Sequence, residues 1–381
     1  IEYQLLFLTA FVLICRKIQS WKGIKMEEFE LGPIRPPSEG GSHSLLMRFT
    51  RNCSWNHCTF CYGFHWDRAK LQLRSMAEIK SDIDKAKAIS DLMKETSNDL
   101  GLGGAVNQAV ADAIFRQNPE YRYGAGFVTV FNWLFSGGKT AFLQDADTLI
   151  MRTPDLVDAI TYLKWTFPSI ERITSYARAK TAYNKSLQEL ESLKKAGLSR
   201  LHIGLETGDD ELLRKTHKGV TAEQHIKAGK KLVQVGIELS EYVMPGLGGK
   251  EMTSQHADNT ARVLNEIDPD YIRSRPFFPV AGTPIAEECQ RGDITLLSPH
   301  ELLEELSRLV TALNVHSKFC FDHAMNPSIK EGFGFRPLFD QGHEGYQLPD
   351  EKKTLMKTIS KGLRVGEKKF PTYEEIARFA R

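Results

Sequence analysis

The stretch that decides the fold is SLLMRFTRNCSWNHCTFC, from Ser44 to Cys61. It opens with an apolar run of strand length, Ser44–Thr50, and continues into a loop with three cysteines at the spacing C-x4-C-x2-C. A strand that leads into a loop rich in reactive side chains is typical of β/α barrels, whose sites lie at the carboxyl ends of the strands. The stretch therefore predicts a barrel-type sheet with a functional loop after its first strand.

The close spacing of Cys53, Cys58 and Cys61 leaves few structural or chemical roles for these thiols. A disulfide framework needs an even set of cysteines and an oxidising compartment. A structural zinc site needs a fourth ligand, which His57 could supply. Three thiolates on one iron–sulfur cluster would leave one iron with an open position, because such clusters normally take four cysteines. An open iron suggests that a substrate or cofactor binds there, and the zinc site remains the alternative.

The loop resembles that of the radical S-adenosylmethionine (SAM) enzymes, which has the spacing C-x3-C-x2-C and an aromatic residue before the third cysteine. Phe60 holds the aromatic position, and Ser54–His57 is one residue longer than the usual interval. The resemblance implies that the three cysteines hold a [4Fe–4S] cluster and that SAM binds the open iron through its amino and carboxylate groups. It also implies that one electron cleaves SAM to a 5′-deoxyadenosyl radical, and that Phe60 lies beside the adenine. The extra residue is expected to bulge outward at Trp55 or Asn56.

Length and composition are those of an ordinary globular protein. The 381 residues are enough for one barrel of roughly 200–250 residues and an appendage. The net charge of +2 gives no case for a nucleic-acid surface. Cys15, Cys289 and Cys320 stand apart from the cysteine loop, and this pattern predicts a reducing, cytoplasmic location.

An apolar run, Leu5–Cys15, lies near the start of the sequence. It is shorter than the ~20 residues that span a bilayer, so no transmembrane span is predicted. No basic segment precedes it, which argues against a signal peptide. Because Met26 would be a natural start, residues 1–25 are expected to be an extension outside the core, or a peripheral helix.

Strand and helix patterns alternate regularly from Thr140 onward, and such alternation with short links predicts a parallel sheet. Six β/α units predict an α/β fold with an open, partial (β/α)6 barrel over residues 26–285, which is also the fold that the resemblance implies. Residues 286–381 are expected to form a mostly helical C-terminal appendage. The aromatic stretch Tyr121–Gly138 is interpreted as a buried hairpin or helix cap, with an apolar lid or a contact surface as the alternative. The predicted strands are Ser44–Thr50, Thr140–Leu143, Arg172–Ser175, Arg200–Leu205, Glu238–Val243 and Tyr271–Arg273.

Polar residues at the ends of the second and third predicted strands lie where relatives bind SAM. The resemblance implies that Asp145 and Asp147 face the SAM amino group, although either aspartate could instead cap the next helix. Ser175 and Arg178 follow the third strand, where side chains meet the ribose or the carboxylate of SAM. A surface ion pair is the alternative for Arg178.

The fourth predicted strand is followed by Glu206 and, twelve residues later, by Lys218. This arrangement resembles radical SAM enzymes related to the anaerobic coproporphyrinogen oxidases and the methylthiotransferases. The resemblance implies that Glu206 contacts the ribose hydroxyls and that Lys218 holds the SAM carboxylate in place of the usual arginine. It also implies that Gly246, in a turn after the fifth strand, lets the adenine approach the backbone. A purely structural carboxylate is the alternative for Glu206.

These features together predict an enzyme, a radical SAM oxidoreductase or transferase with a single cluster. Its expected partners are an unidentified small-molecule substrate and an electron donor such as flavodoxin or ferredoxin. His323, Asn326 and His343 are candidates for the substrate pocket. The alternative is a haem carrier that retains the cluster and SAM motifs, with His57 or His323 as the haem ligand.

Overall fold

An eight-stranded sheet forms the frame of the protein. The structure is a computed structural model, and it describes residues 28–33, 43–62 and 69–379. The predicted extension, residues 1–25, lies outside these ranges. The strands are β1 (Leu45–Arg48), β2 (Thr50–Arg51), β3 (Gln72–Leu73), β4 (Thr140–Gln144), β5 (Arg172–Ala177), β6 (Leu198–Glu206), β7 (Glu238–Val243), β8 (Tyr271–Ser274), β9 (Lys318–Cys320), β10 (Ser328–Glu331), β11 (Gly334–Pro337) and β12 (Tyr346–Gln347).

The large sheet has the order β1-β4-β5-β6-β7-β8-β9-β12. The first seven of these strands are parallel to their neighbours, and β12 pairs antiparallel with β9. All six predicted strands are present, and the partial α/β barrel is confirmed. A seventh parallel strand, β9, extends the barrel beyond the predicted six. Its three residues, Lys318–Cys320, are too short to give a strand signal in the sequence.

Helices alternate with the parallel strands and begin at recognisable caps. Ser75, Ser186, Thr221 and Ser298 each form a capping box with the Glu or Gln three residues later, which satisfies backbone N–H groups at the helix start. The helices are α1 (Met76–Asp99), α2 (Gln108–Gln117), α3 (Ala125–Phe135), α4 (Thr153–Thr166), α5 (Ala179–Asn184), α6 (Leu187–Ala196), α7 (Asp210–Lys215), α8 (Ala222–Gln234), α9 (Gly249–Ile267), α10 (Pro284–Arg291), α11 (Pro299–Ala312), α12 (Lys352–Leu363) and α13 (Tyr373–Phe379).

The two faces of the sheet differ in chemistry. Leu143, Leu201 and Leu239 belong to one large apolar core between the sheet and the helices. Because side chains alternate along a strand, their neighbours point to the interior of the barrel. There the rings of Tyr176 and His202 lie 5.5 Å apart, and both are within ring contact of further aromatic side chains. The interior is therefore polar and aromatic, while the apolar core lies outside the barrel wall.

The aromatic stretch Tyr121–Gly138 is neither a hairpin nor a cap. It forms a turn of 3-10 helix followed by α3, and Phe127 and Trp133 are buried in the core. Trp133 packs edge-on against Phe167 with ring centroids 5.1 Å apart. The helix was not predicted because glycines and aromatic residues hide the helical period of this apolar stretch.

The C-terminal segment contributes to the sheet as well as to the helical layer. Arg273 of β8 forms an ion pair with Asp322, just after β9, with Nη1 and Oδ2 2.5 Å apart; both side chains are buried. The division into residues 26–285 and 286–381 stays a prediction, and strands β9 and β12 join the two segments through one sheet. In the part of the chain that the structure describes, no helix is long and apolar enough to cross a membrane.

Candidate active site

The three-cysteine loop is fixed at its centre by backbone hydrogen bonds from two directions. The Thr59 N–H donates to the Thr216 carbonyl at 3.0 Å, in the segment after α7. The Ile285 N–H, at the start of α10, donates to the Thr59 carbonyl at 3.3 Å. The loop therefore lies at the carboxyl edge of the parallel sheet, which is where the sequence predicts the functional site.

The additional residue of the loop is absorbed by the backbone of Asn56, which has a φ of 53°. Asparagine tolerates this left-handed conformation better than most residues do. Trp55 does not protrude: its indole N–H donates to the His217 carbonyl at 2.6 Å, and the Arg178 guanidinium lies 5.2 Å from its ring centroid. The left-handed backbone is thus found at Asn56, whereas Trp55 anchors the loop to the segment after β6; an outward bulge stays a prediction.

Gly219 provides the room for Trp55. Its φ is 72°, and a Cβ atom at this position would lie 2.5 Å from the Trp55 ring. Any side chain here would meet the indole, so glycine is required both by conformation and by space.

The three thiols lie within electrostatic reach of one another. Burial raises the pKa of Cys58 to about 11, Lys218 and Arg178 lower it, and Cys61 and Cys53 raise it further. Among the described residues, no three His, Cys, Asp or Glu side chains are arranged to share a single metal ion. Thiolates of an iron–sulfur cluster bind separate irons and do not converge on one ion, so this arrangement is compatible with a cluster. His57 is exposed and packs edge-on against Trp55, 4.9 Å away.

Glu206 and Lys218 meet directly beside the cysteine loop. The Lys218 ammonium lies 2.8 Å from Glu206 Oε1, and both side chains are largely buried. Glu206 has a φ of 60° at an irregularity in the β6–β7 pairing, which brings its carboxylate back over the end of the strand. Burial alone would lower the pKa of Lys218, but the charges of Glu206 and Cys58 outweigh it and raise the pKa. The ammonium also lies 5.6 Å from the Phe60 ring centroid.

Asp147 connects the cysteine loop to the segment after β5 through hydrogen bonds. Its carboxylate accepts hydrogen bonds from the Ser54 hydroxyl at 2.5 Å, the Thr181 hydroxyl at 2.6 Å and the Arg178 N–H at 3.2 Å. Burial raises its pKa, and these hydrogen bonds oppose the rise. Its side chain makes no capping hydrogen bond to the short helix that follows, so the capping alternative does not apply.

Asp145 takes part in a separate network. Its Oδ2 accepts from Arg48 Nη2 at 2.8 Å and from the Asn52 N–H at 2.8 Å, while Oδ1 is buried without a hydrogen-bond partner among the described residues. The carboxylate thus ties the start of the cysteine loop to the ends of β1 and β4. A contact of Asp145 or Asp147 with SAM stays a prediction.

Two predicted cofactor residues are engaged elsewhere. Ser175 pairs in register with Leu143 and Leu201 on the outer face of the sheet, and its hydroxyl donates to the Leu143 carbonyl at 3.1 Å. The structure therefore does not bring Ser175 to the cysteine loop. The Gly246 N–H donates to Glu305 Oε1 at 2.7 Å, and the turn around it contributes Met244 to a small apolar cluster against which Phe60 packs.

Arg178 is not part of a surface ion pair. Its guanidinium donates to the Lys218 carbonyl at 2.9 Å and faces Trp55, and no carboxylate among the described residues forms an ion pair with it. Together with Lys218, it makes the surroundings of the thiols electropositive. These two positive charges oppose the rise that burial causes in the pKa of Cys58.

The predicted pocket residues divide into two groups. His323 and Asn326 lie near the end of β8, where the Asn326 amide donates to the Ser274 carbonyl at 3.0 Å. Burial and the nearby Arg275 lower the pKa of His323 to about 4. His343 instead lies against Asp322, with Nδ1 and Oδ2 3.1 Å apart.

Sequence reasoning missed Arg275 and Tyr62, which contact each other across the opening of the barrel. Arg275 is two residues beyond Arg273, at the end of β8, and this position at a strand end was the available signal. Ser54 and Thr181 were also missed, because hydroxyls that support a buried carboxylate leave no pattern in the sequence.

Comparison with known proteins adds independent support. The family described as the radical SAM superfamily matches residues 132–261. The tRNA uridine(34) acetyltransferase of Methanocaldococcus jannaschii is 28% identical over 126 residues, which are 32% of this chain and 22% of the relative. A probable threonylcarbamoyladenosine tRNA methylthiotransferase of the same organism is 27% identical over 143 residues, 36% of this chain and 32% of the relative. The chain thus spans no more than a third of either relative.

Among solved structures, coproporphyrinogen III oxidase from Escherichia coli is 16% identical, with 72% of this chain and 54% of that chain covered at a TM-score of 0.42. The family match covers β6, which ends at Glu206, and the segment that carries Lys218, and Phe60 of the three-thiol loop lies beside Lys218. Residues 132–261 thus match the radical SAM superfamily, whose members bind a [4Fe–4S] cluster and S-adenosylmethionine.

Proposed function

We propose that this chain is an enzyme that cleaves SAM reductively at a [4Fe–4S] cluster held by Cys53, Cys58 and Cys61. The observation that carries the proposal is the position of the three-thiol loop beside the Glu206–Lys218 pair at the carboxyl edge of the sheet. When bound, the cluster supplies the electron that breaks the C5′–S bond of SAM, and the 5′-deoxyadenosyl radical then takes a hydrogen atom from the substrate.

The residues around the loop bind and orient the cofactor. Lys218 offers a positive charge to the SAM carboxylate, and Glu206 offers acceptors for the ribose hydroxyls. Since these two groups now pair with each other, the SAM carboxylate competes with Glu206 for the ammonium. Phe60 and the apolar cluster with Met244 and Phe277 exclude water from this side of the loop. Exclusion of water strengthens each electrostatic contact inside the site.

The proposed substrate class is an RNA nucleoside. Both relatives described above carry the names of tRNA-modifying enzymes, and each shares about a third of this chain. Composition alone does not point to nucleic acid. The haem-carrier alternative is not favoured: His57 packs on Trp55, and His323 Nδ1 accepts from the Met325 N–H at 3.2 Å.

The experiment for the cluster is anaerobic reconstitution followed by iron and sulfide analysis. We expect about four of each per chain, as a [4Fe–4S] cluster requires. The triple variant Cys53→Ala/Cys58→Ala/Cys61→Ala should lose them, whereas the control Cys289→Ala/Cys320→Ala should retain them. Tight binding of one zinc per chain, without broad visible absorbance, would contradict the proposal.

Activity is tested by incubation of the reconstituted protein with SAM and dithionite. The expected product is 5′-deoxyadenosine, detected by liquid chromatography, and it should be absent in the triple cysteine variant. Incubation with unmodified tRNA transcripts, followed by nucleoside mass analysis, tests the substrate class. A change of nucleoside mass supports RNA, and cleavage of SAM with every transcript unchanged counts against it.

A further inference from the structure

Helix α12 and the turn after it carry many more positively than negatively charged side chains. Residues 352–369 contain seven lysines and arginines and a single acidic residue, Glu367, a net charge of +6. Since the whole chain has a net charge of only +2, the remaining residues carry −4. This one helix and its C-terminal turn therefore carry a larger excess of positive charge than the whole chain does.

The cations of α12 form a column. Lys353, Lys357 and Lys361 are four residues apart, so their side chains lie on the same side of the helix. All three are exposed, and Arg364 continues the column beyond the helix end. The rise of 1.5 Å per residue separates successive lysines by ~6 Å and makes the column ~16 Å long. Leu355 and Ile359, on the opposite side, are buried in the core.

Several exposed lysines on other helices of this chain pair with carboxylates. Lys87 pairs with Asp91, Lys215 with Glu211 and Lys227 with Glu223, each at four-residue spacing. In α12, the described residues offer no carboxylate that forms an ion pair with Lys353, Lys357, Lys361 or Arg364. Like charges four residues apart destabilise a helix. The column therefore works against the stability of α12, which points to a role in binding.

The column borders a groove of about 700 Å³, here named the α12 groove and defined by Lys353, Lys357, Lys361, Arg364 and Thr311. Met356 and Ser360 also line it, so its surface combines charge with apolar and hydroxyl contacts. Lys352, at its far end, is held by the Thr311 and Leu313 carbonyls at 2.9 and 2.6 Å. That contact fixes the position of α12 on α11.

The groove runs toward the edge of the sheet that carries the cysteine loop. Near Arg364, His300 Nε2 lies 2.8 Å from the Val365 carbonyl, so the end of α12 lies beside the start of α11. Further along α11, Glu305 accepts a hydrogen bond from Gly246, in the turn after β7 at the carboxyl edge of the sheet. A chain bound along the column would thus be led toward the site.

We propose that the α12 groove binds the phosphate backbone of RNA. The proposal rests on the proposed function, and it identifies where an RNA substrate is held outside the reacting site. Regularly repeated single charges suit a polymer with one negative charge per nucleotide, and binding is driven by the release of counterions. Hydroxyl and backbone groups of the groove can add contacts to sugar and phosphate oxygens.

The test is fluorescence anisotropy with a labelled, in vitro transcribed tRNA and the full-length reconstituted protein, over a series of salt concentrations. The test variant is Lys353→Gln/Lys357→Gln/Lys361→Gln, and the control is Lys94→Gln/Lys194→Gln/Lys195→Gln. Both variants lose three positive charges from exposed helix surfaces. We expect the test variant to bind at least tenfold more weakly than wild type at ~100 mM salt, because it loses three contacts with phosphates. Each phosphate contact contributes ~0.7–0.9 to the slope of log K against log salt. That slope should fall by about two to three in the test variant and stay unchanged in the control.

Equal binding by the test variant and wild type would overturn the proposal, as would an equal loss in both variants, which would show only a non-specific effect of charge. The absence of tRNA binding by wild type at ~50 mM salt would do the same. The proposed function is measured separately. Formation of 5′-deoxyadenosine without RNA should be the same in both variants and wild type. Loss of RNA binding and loss of SAM cleavage are therefore measured independently.

Discussion

The Lys218 ammonium lies 2.8 Å from Glu206 Oε1, at the point where the three-thiol loop meets the end of β6. Both side chains are largely buried, and the same ammonium lies over the Phe60 ring. Lys218 thus connects the strand, the loop and an aromatic residue through one charge. A buried cation in this position has a strong interaction with any carboxylate that enters the site.

The first prediction concerns this lysine. Lys218→Ala should weaken the binding of SAM to the reconstituted protein by ten- to a hundredfold, because loss of one charge-assisted contact costs ~1.5–3 kcal/mol. Equilibrium dialysis with labelled SAM measures the dissociation constant, and iron analysis confirms that the cluster is retained. Lys215→Ala, an exposed lysine on α7, is the matched control. An unchanged constant in Lys218→Ala would show that the SAM carboxylate is held elsewhere.

A second prediction follows from the contact of Gly219 with Trp55. Gly219→Ala should displace the indole and loosen the cysteine loop, since the new Cβ atom would lie 2.5 Å from the ring. We expect faster loss of iron in air while the circular dichroism spectrum remains that of wild type. Gly101→Ala is a close control: Gly101 has a φ of 73°, against 72° for Gly219, but a Cβ atom added there would meet no described atom within 4 Å. If both variants lose iron at the same rate, backbone strain and not the Trp55 contact is responsible.

A third prediction concerns the buried pair of Arg273 and Asp322. Asp322→Ala should lower the free energy of unfolding by ~3–5 kcal/mol, because it leaves a buried guanidinium without its partner. Urea unfolding at pH 7 measures the change. Asp258→Ala, which breaks a half-exposed pair with Arg308, should have little effect. A small effect of Asp322→Ala would mean that β9 and the segment after it contribute little to the stability of the barrel.

The fourth prediction is a pH dependence of stability. His225 is fully buried, and burial, with smaller effects of Lys218 and Arg178, holds its pKa well below the usual value. In the unfolded chain the pKa of histidine is ~6.5, so below that pH the unfolded state takes up a proton that the folded state refuses. The contribution of His225 to stability therefore decreases as pH falls from about 6.5. Thermal unfolding between pH 5 and 8, roughly the range in which histidine titrates, should show a smaller loss at acid pH in His225→Leu than in wild type.

His316 provides the opposite case. A hydrogen bond to Asp268 raises the pKa of this exposed histidine, so its contribution to stability is present at acid pH and decreases as pH rises through the folded-state pKa. His316→Ala should therefore make the protein slightly less stable at pH 5, in contrast to His225→Leu. A similar response of the two variants would contradict the assignment of His225 as a buried neutral residue.

The sequence predicts most of the frame because the frame follows local rules. The strands that became β4 to β8 are apolar runs flanked by capped helices, and both signals are visible in one chain. Strand β9 was missed because three residues carry no periodicity, and its partners are β8 and β12, which are distant in sequence. The helix α3 was not predicted because Phe, Trp and Gly residues obscure the helical pattern.

The site was predicted best where chemistry is encoded in spacing. Glu206 and Lys218, twelve residues apart, do meet beside the cysteines. The sequence did not indicate which face of β5 carries Ser175; in the structure it is in register with Leu143 and Leu201, and its contact with SAM stays a prediction. Arg275 and Tyr62 meet only through the fold, so no local pattern could have predicted their contact.

The left-handed turn at Asn56 has a consequence for how such proteins are found in genomes. One backbone angle accommodates the additional residue, and Thr59 beyond it remains anchored to Thr216 and Ile285. The part of the loop that follows the left-handed residue is thus held by its own hydrogen bonds, whatever the length of the interval before it. A search that insists on three intervening residues would overlook this chain, whereas one that asks for a thiol triplet after a strand, followed by an acidic and a basic residue twelve positions apart, would retrieve it.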